Sequence, residues 1–425
     1  MKSVRISAAR SAAIVVLLGA LAFGCAQEIV EEEFEPSESH QRYRDGLDRL
    51  GLLETALGRD WAEAAEAALR SPIEVELPFF EAAVFEASRA EAVGYRFPAR
   101  QGQRITVTLE FEEVNRSGGA AELVDYTDEV LPGEGESGTY DGLRVFADVF
   151  RVEDDRSEPL EQVASYSEAR NLLEFEPRRD REYILRLQPE LLRGGRINLT
   201  IETGPSLIFP VEGHGTDHIY SFFGAPRDGG ARRHEGVDVF APRGTPVLAP
   251  SAAVVRRVGT RERGGRIVSL YDEKRDLIYY YAHLDEQLIE SGVRVEPGDV
   301  LGTVGNTGNA RTTPPHLHFG IYEARWNAVD PWYYLYDKGG EPMPPPREHD
   351  LIGEWKQVST GEATVFDSLV GSRRALGTLE PEAVIQTVGA AGQYFRVRLA
   401  HGGFGYVNAS VLTADSTAEA GANGG

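Results

Sequence analysis

The chain has 425 residues, with 44 Lys or Arg against 67 Asp or Glu and a net charge of −23 at pH 7. That length exceeds one ordinary hydrophobic core and predicts two to four domains. A nucleic-acid binder is excluded, because phosphate contact needs basic patches; the acidic balance itself speaks for solubility and names no partner.

The first residues read as an export address. Lys2, Arg5 and Arg10 form a positive n-region, followed by an apolar run from Ala12 to Phe23. The run is short for a transmembrane helix and suits a signal h-region. It ends at Gly24-Cys25, and Cys25 is the chain's one cysteine, so no intramolecular disulfide can form. The position resembles a bacterial lipoprotein box, which implies a lipid anchor on the Cys25 thiol; Ala22 and Phe23 depart from the usual box residues. The alternative is a cleaved signal peptide over 1–25 with an incidental cysteine. Both readings export the protein, as an outer-membrane or cell-envelope lipoprotein, or as a periplasmic or secreted protein if Cys25 is not lipidated.

An acidic tether and one or two short helices are expected over 26–72, where Tyr43, Leu47, Leu50, Leu53, Leu57, Trp61, Ala65 and Ala68 recur at helical spacing. Over 73–205 the pattern changes to alternation, in runs such as RITVTLEF, LRVFADVFRV and REYILRLQ, and predicts a β-sandwich. The Gly- and acid-rich run from Asp125 to Tyr140 reads as a loop. A second all-β unit is expected over 206–337. The segment KGGEPMPPPREHD, within 338–350, is too rich in Pro and Gly to build a core and reads as a linker. Short strands return over 351–412, and 413–425 reads as a disordered tail. The fold class predicted is therefore mainly β.

Four of the nine histidines fall in three motifs of the second β unit. In His234-Glu235-Gly236-Val237-Asp238, positions i and i+4 of an extended strand share a face, which would aim an imidazole and a carboxylate at one spot. In His316-Leu317-His318 the two rings would project together while Leu317 turns the other way. His283 ends the apolar strand YYYAHL, at the rim of a groove. Each motif alone is weak; the weight lies in their combination within residues 234–318. His214 and His218, at i and i+4 around Asp217, are a decoy that we read as structural or surface. Gly224, Gly236, Gly244 and Gly298 mark points of positive φ or close backbone approach, and the segment Gly305–Gly308 reads either as a groove wall or as a plain turn.

On these motifs, the segment from Tyr220 to Trp332 resembles the lysostaphin-type zinc endopeptidases. The landmarks are SFFGAPRDGGARRHEGVDVFAPRGTPVLAP, VSLYDEKRDLIYYYAHL, VRVEPGDVLGTVGNTGNARTTPPHLHFGIY and VDPWYYL. The resemblance implies a small antiparallel β fold with a groove over its sheet, and one zinc ion held by His234, Asp238 and His318. His283 and His316 would line the site without binding metal. Such a set agrees with a catalytic zinc, which keeps three protein ligands and an open fourth position. The implied activity is hydrolysis of peptide cross-links in bacterial peptidoglycan by metal-activated water. One of His283 and His316 would act as general base, and the pair would stabilise the oxyanion or protonate the leaving amine.

The segment 351–412 resembles a bacterial SH3-like barrel, through LGTLEPEAVIQTV and YFRVRLAHGGFGYVNASVL, with Tyr394 and Tyr406 where tryptophan is common. That implies either wall binding or a packing role. The protein is expected to act as a monomer. Two other functions stay open: a catalytically silent relative that binds wall or activates a partner amidase, and a zinc endopeptidase acting on protein. Every motif position is filled here, which favours activity.

Overall fold

The structure, a computed structural model, describes residues 38–112, 144–153, 159–166, 172–323, 327–336, 352–359, 361–371, 373–399 and 403–414. The expected signal segment with Cys25, most of the acidic tether, the Asp125–Tyr140 loop, the 338–350 linker and the tail beyond residue 414 lie outside the described residues.

Two helices open the described chain, Glu38–Arg49 and Ala56–Arg70. Thr55 caps the second, its side chain accepting a hydrogen bond from the Gly58 amide at 3.1 Å. Leu47, Trp61, Ala65 and Ala68 are buried as their spacing predicts. Leu50 is not: the first helix stops at Arg49, Gly51 takes a φ of 69°, and Leu50 is left exposed.

The strands that follow form two sheets around one core. The first places strands in the order Ile73–Glu74, Val93–Ala99, Arg181–Pro189, Val145–Arg151 and Glu161–Ser165; the second contains Leu172–Phe175, Gln103–Glu112, Gly195–Pro205 and Phe79–Phe85. Alternate residues of both sheets, among them Tyr95, Val149 and Leu185 from one and Val107, Leu199 and Ile201 from the other, are buried together. The period-2 pattern read from the sequence is thus the inward face of each sheet.

The second sheet does not end with this unit. Phe79–Phe85 pairs with Val384–Ala391 through Ala82 opposite Ala390 and Ala83 opposite Gly389, and the sheet runs on through Tyr394–Arg398, Phe404–Asn408, Ala363–Phe366 and Ala375–Leu379. The segment after the linker is joined to the sandwich rather than only tethered beside it. Glu81 and Arg396, almost wholly buried, pair across the junction at 3.0 Å, and Tyr95 and Tyr406 donate their hydroxyls to the same carboxylate. Arg398 pairs with Glu91 nearby.

Between these two parts of the chain lies the segment with the histidine motifs. Its main sheet is antiparallel, in the order Ile219–Ser221, Val237–Phe240, His316–Glu323, Leu277–Leu284, Gly265–Asp272, Ala253–Arg261 and Arg294–Val295, with Ala328–Val329 added to His316–Glu323. A three-stranded sheet of Pro246–Leu248, Val300–Thr303 and Glu286–Gln287 lies with it. Val237, Val239, Tyr279, Tyr281, Leu317 and Phe319 from the main sheet pack with Val247 and Leu301 from the small one. One face of the main sheet is therefore core, and the other is available to the site. Arg275 links this segment to the sandwich: it pairs with Glu176 at 2.7 Å and Asp272 at 2.8 Å, and donates to the Ser206 carbonyl at 3.1 Å.

Candidate metal centre and active site

Asp238 and His318 stand directly opposite each other on adjacent strands, and Ala282 stands opposite His318 on the next. Residues in register share a face, so the carboxylate and the ring project together from the non-core side. Leu317 goes to the core and is fully buried. His234 arrives differently from the expectation of one extended strand. The strand begins only at Val237, and His234 sits in the connection after Arg232–Arg233. Gly236 makes that path possible, since a Cβ there would lie 2.4 Å from the Phe319 carbonyl oxygen and 2.9 Å from His318 Cε1.

The donor atoms converge. His234 Nε2 lies 2.9 Å from His318 Nδ1 and 3.0 Å from Asp238 Oδ1, and His318 Nδ1 lies 3.1 Å from the same oxygen. Among the described residues this is the group of three or more such side chains placed to hold a metal ion. Backbone carbonyls fix the tautomers. A carbonyl oxygen can only accept, so His234 Nδ1–H donates to Phe222 O at 3.0 Å, His283 Nδ1–H to Thr307 O at 2.9 Å, and His316 Nδ1–H to Pro314 O at 2.9 Å. In its neutral form each of these rings presents a bare Nε2 lone pair. Arg227 donates to Asp238 Oδ2 at 2.6 Å and to Ser221 Oγ at 2.5 Å, which leaves Oδ1 to face the two rings.

The protonation states suit ligation. Burial works to raise the Asp238 carboxyl, but hydrogen bonds and charge from His234 and His318 outweigh it and hold it well below the ordinary carboxylate range. Burial lowers His318, against the pull of Asp238. Burial, then the His316 and His318 charges, push His283 down to about 4. A carboxylate and neutral imidazoles are the forms that bind a metal or accept a proton at neutral pH.

His283 is re-aimed by the backbone. Along Leu277–Leu284, Tyr281 faces the core and Ala282 the site, so plain alternation would send His283 inward. Instead the register with Gly265–Asp272 shifts at this point, and His283 takes a φ of 65°, a conformation that ordinary residues rarely adopt. The bulge turns its ring toward His316, centroid to centroid 5.1 Å, and toward His318 at 6.1 Å. Thr307 secures the arrangement. Its hydroxyl accepts from the Arg266 amide and donates to the Leu284 carbonyl, both at 2.9 Å, while its own carbonyl holds the ring. The Gly305–Gly308 segment is therefore a wall of the site.

Phe240 stacks on His316 at 5.0 Å, and Tyr280 meets the His318 ring edge-on at 6.1 Å. The motif spacing singles out neither Arg227 nor Tyr280, and marks Thr307 only as part of the Gly305–Gly308 segment. The spacing of Arg227 in SFFGAPR before HEGVD was the available signal. His214 and His218 pack ring to ring at 4.5 Å; His214 donates to the Glu212 carbonyl and His218 pairs with Asp217. They are not in the converging group.

Residues 232–331 match Peptidase family M23. The chain is 38% identical over 133 residues to an L-Ala--D-Glu endopeptidase of Bacillus subtilis (strain 168), an alignment covering 28% of this chain and 40% of that protein. It is 37% identical over 94 residues to the peptidoglycan DD-endopeptidase ShyC of Vibrio cholerae, covering 22% and 21%. The catalytic domain of lysostaphin from Staphylococcus simulans aligns at 31% identity, over 28% of this chain and 88% of that domain, with a TM-score of 0.25. The chain thus spans less than half the length of the curated relatives it matches. The central β segment of the chain carries a Peptidase family M23 domain.

Proposed function

We propose that this domain is a zinc-dependent endopeptidase that hydrolyses peptide cross-links of bacterial peptidoglycan. The observation that carries the proposal is the convergence of His234 Nε2, His318 Nδ1 and Asp238 Oδ1 within about 3 Å of one another, beside two further histidines that contribute no atom to that cluster. Two ring nitrogens and one carboxylate oxygen form a donor set suited to zinc, and three protein ligands leave room for a substrate or water. When bound, zinc supplies Lewis acidity toward the peptide carbonyl and lowers the pKa of water to about 7.

The chain's own residues do the rest. Arg227 commits one oxygen of Asp238 and aims the other at the rings. His283 and His316, their Nδ1 protons pinned to backbone carbonyls, present Nε2 as proton acceptors. One of them takes the proton of the attacking water. Once protonated, that ring can donate to the oxyanion or to the departing amine. Thr307 and the bulge keep His283 in reach during this exchange.

The substrate assignment draws on the named activities of the relatives, and the location on the signal-like N-terminus; we propose an exported, envelope-located enzyme, anchored if Cys25 is lipidated. Zymography against purified peptidoglycan, with and without a chelator, tests the proposal, and mass spectrometry of the released muropeptides names the bond. Clearing by the zinc-loaded protein that disappears on chelation and returns with zinc is expected. No clearing would instead favour a silent wall-binding role, and clearing that survives complete zinc removal would contradict the mechanism.

A further inference from the structure

The face that carries Asp238 and His318 continues across the sheet to a pair of arginines. Gly320, Tyr280, Ser269 and Arg257 stand in register on four successive strands, one pleat from the row of Asp238, His318 and Ala282. Regular pairing from Arg257 to Arg261 puts Arg257, Gly259 and Arg261 on that same face. Three strand spacings separate His316–Glu323 from Ala253–Arg261, about 14 Å, which an extended peptide spans in about four residues. The hairpin beyond Arg261 folds back over this surface at Gly264, where a Cβ would lie 2.4 Å from the Tyr280 hydroxyl.

Arg257 and Arg261 are exposed, and neither has an ion-pair or hydrogen-bond partner among the described residues. Tyr280 lies on the strand next to His318 and two strands from Arg257, and meets the His318 ring edge-on at 6.1 Å. The local sign is also unusual. Between Arg227 and Arg266 there are nine arginines and four acidic residues, in a chain whose net charge is −23. Several of those arginines are committed: Arg227 to Asp238, Arg232 to Asp228, Arg243 to Asp285, Arg256 over the Tyr271 ring. Arg257 and Arg261 stand on the sheet face that carries Asp238 and His318.

We propose that Arg257 and Arg261 form a carboxylate-recognition pair that selects an acidic peptide stem, such as one containing glutamyl residues, over an uncharged glycine bridge. The proposal rests on the peptidase reading above and assigns its substrate class. Paired guanidiniums three strands over from His318 would seat a carboxylate a few residues from the cleaved bond.

The test compares a purified cross-linked muropeptide with free carboxylates against the same muropeptide converted to amides. The zinc-loaded full chain is expected to prefer the free acid by about fivefold to tenfold in kcat/KM, mainly through KM, with the preference shrinking as salt rises. In the double variant R257Q/R261Q the preference should vanish while turnover of the amidated muropeptide is kept. Equal rates on both muropeptides in the parent, or an unchanged preference in the double variant, would overturn the proposal. Failure to cut either muropeptide would count against the peptidase reading instead. Calorimetric binding of the two muropeptides to the zinc-loaded protein then decides the carboxylate question by itself: free-acid preference that needs both arginines supports it, and its absence refutes it.

Discussion

Four imidazoles meet at the site, and three of them have their tautomers set by single backbone carbonyls, from Phe222, Thr307 and Pro314. Division of labour among chemically identical side chains is therefore decided by position. His234 and His318 share an oxygen of Asp238, and His283 and His316 do not. We expect His316→Ala and His283→Ala each to retain zinc, measured by metal analysis, and to lose activity on muropeptides by about a hundredfold or more. A His316→Ala enzyme that keeps its zinc and the parent rate would remove that residue from the mechanism. Arg227 acts one step further out. Arg227→Ala should weaken zinc binding by about tenfold or more, read by competition with a chelator of known affinity, and Arg227→Lys should restore part of the loss. An unchanged affinity in the alanine variant would mean that Asp238 needs no such clamp.

At the scale of elements, the site depends on how the hairpin at Gly264 and Gly265 is stitched to the loop at Thr307. Gly265 has a φ of 63°, and a Cβ on it would lie 2.2 Å from Thr307 Oγ1. Thr307→Val keeps the shape and removes both hydroxyl hydrogen bonds, a loss of about 1–3 kcal/mol. The expected outcome is a lower unfolding midpoint and a lower kcat with zinc affinity unchanged, because the bonds hold His283 and not the metal ligands. The motifs themselves could be read from the sequence, since HEGVD and HLH lie on or beside strands whose alternation fixes a face. What the sequence hid was contributed by partners distant along the chain. Thr307 meets Arg266 and Leu284, and the bulge at His283 departs from the period-2 rule that otherwise predicts its strand. HEGVD departs from the continuous strand that its spacing suggests, because Gly236 allows a connection to approach closely there.

At the scale of the molecule, the mainly β class and the alternating patterns were legible, but the joining of the first and last β segments was not. Glu81 and Arg396 lie 315 positions apart, and nothing in either local pattern announces that they meet. Removing one partner of a buried pair leaves an uncompensated charge and costs about 3–5 kcal/mol. Arg396→Ala should thus lower the melting temperature of the whole β body, followed by circular dichroism, rather than unfold the last segment alone; separate transitions would show that the joint is weak. His40 supplies a pH dependence. Burial, then the Arg186 charge, lower it from 6.5 to about 4, so the unfolded chain binds its proton first as the medium acidifies. Its contribution is fully favourable above pH 6.5 and is lost as pH falls toward 4, at up to about 1.4 kcal/mol per pH unit. A His40→Leu variant should show a shallower decline over that window in chemical denaturation.

The shared sheet has one more consequence. The chain leaves it at Pro205, builds the M23 domain, and comes back to it after residue 351. Topologically this domain is a guest inserted into a host fold whose two halves meet at Glu81 and Arg396. A guest with its own core can be lifted out: joining residue 205 to residue 352 through a short flexible loop should leave the host folded, and a different catalytic unit could be housed in the same frame.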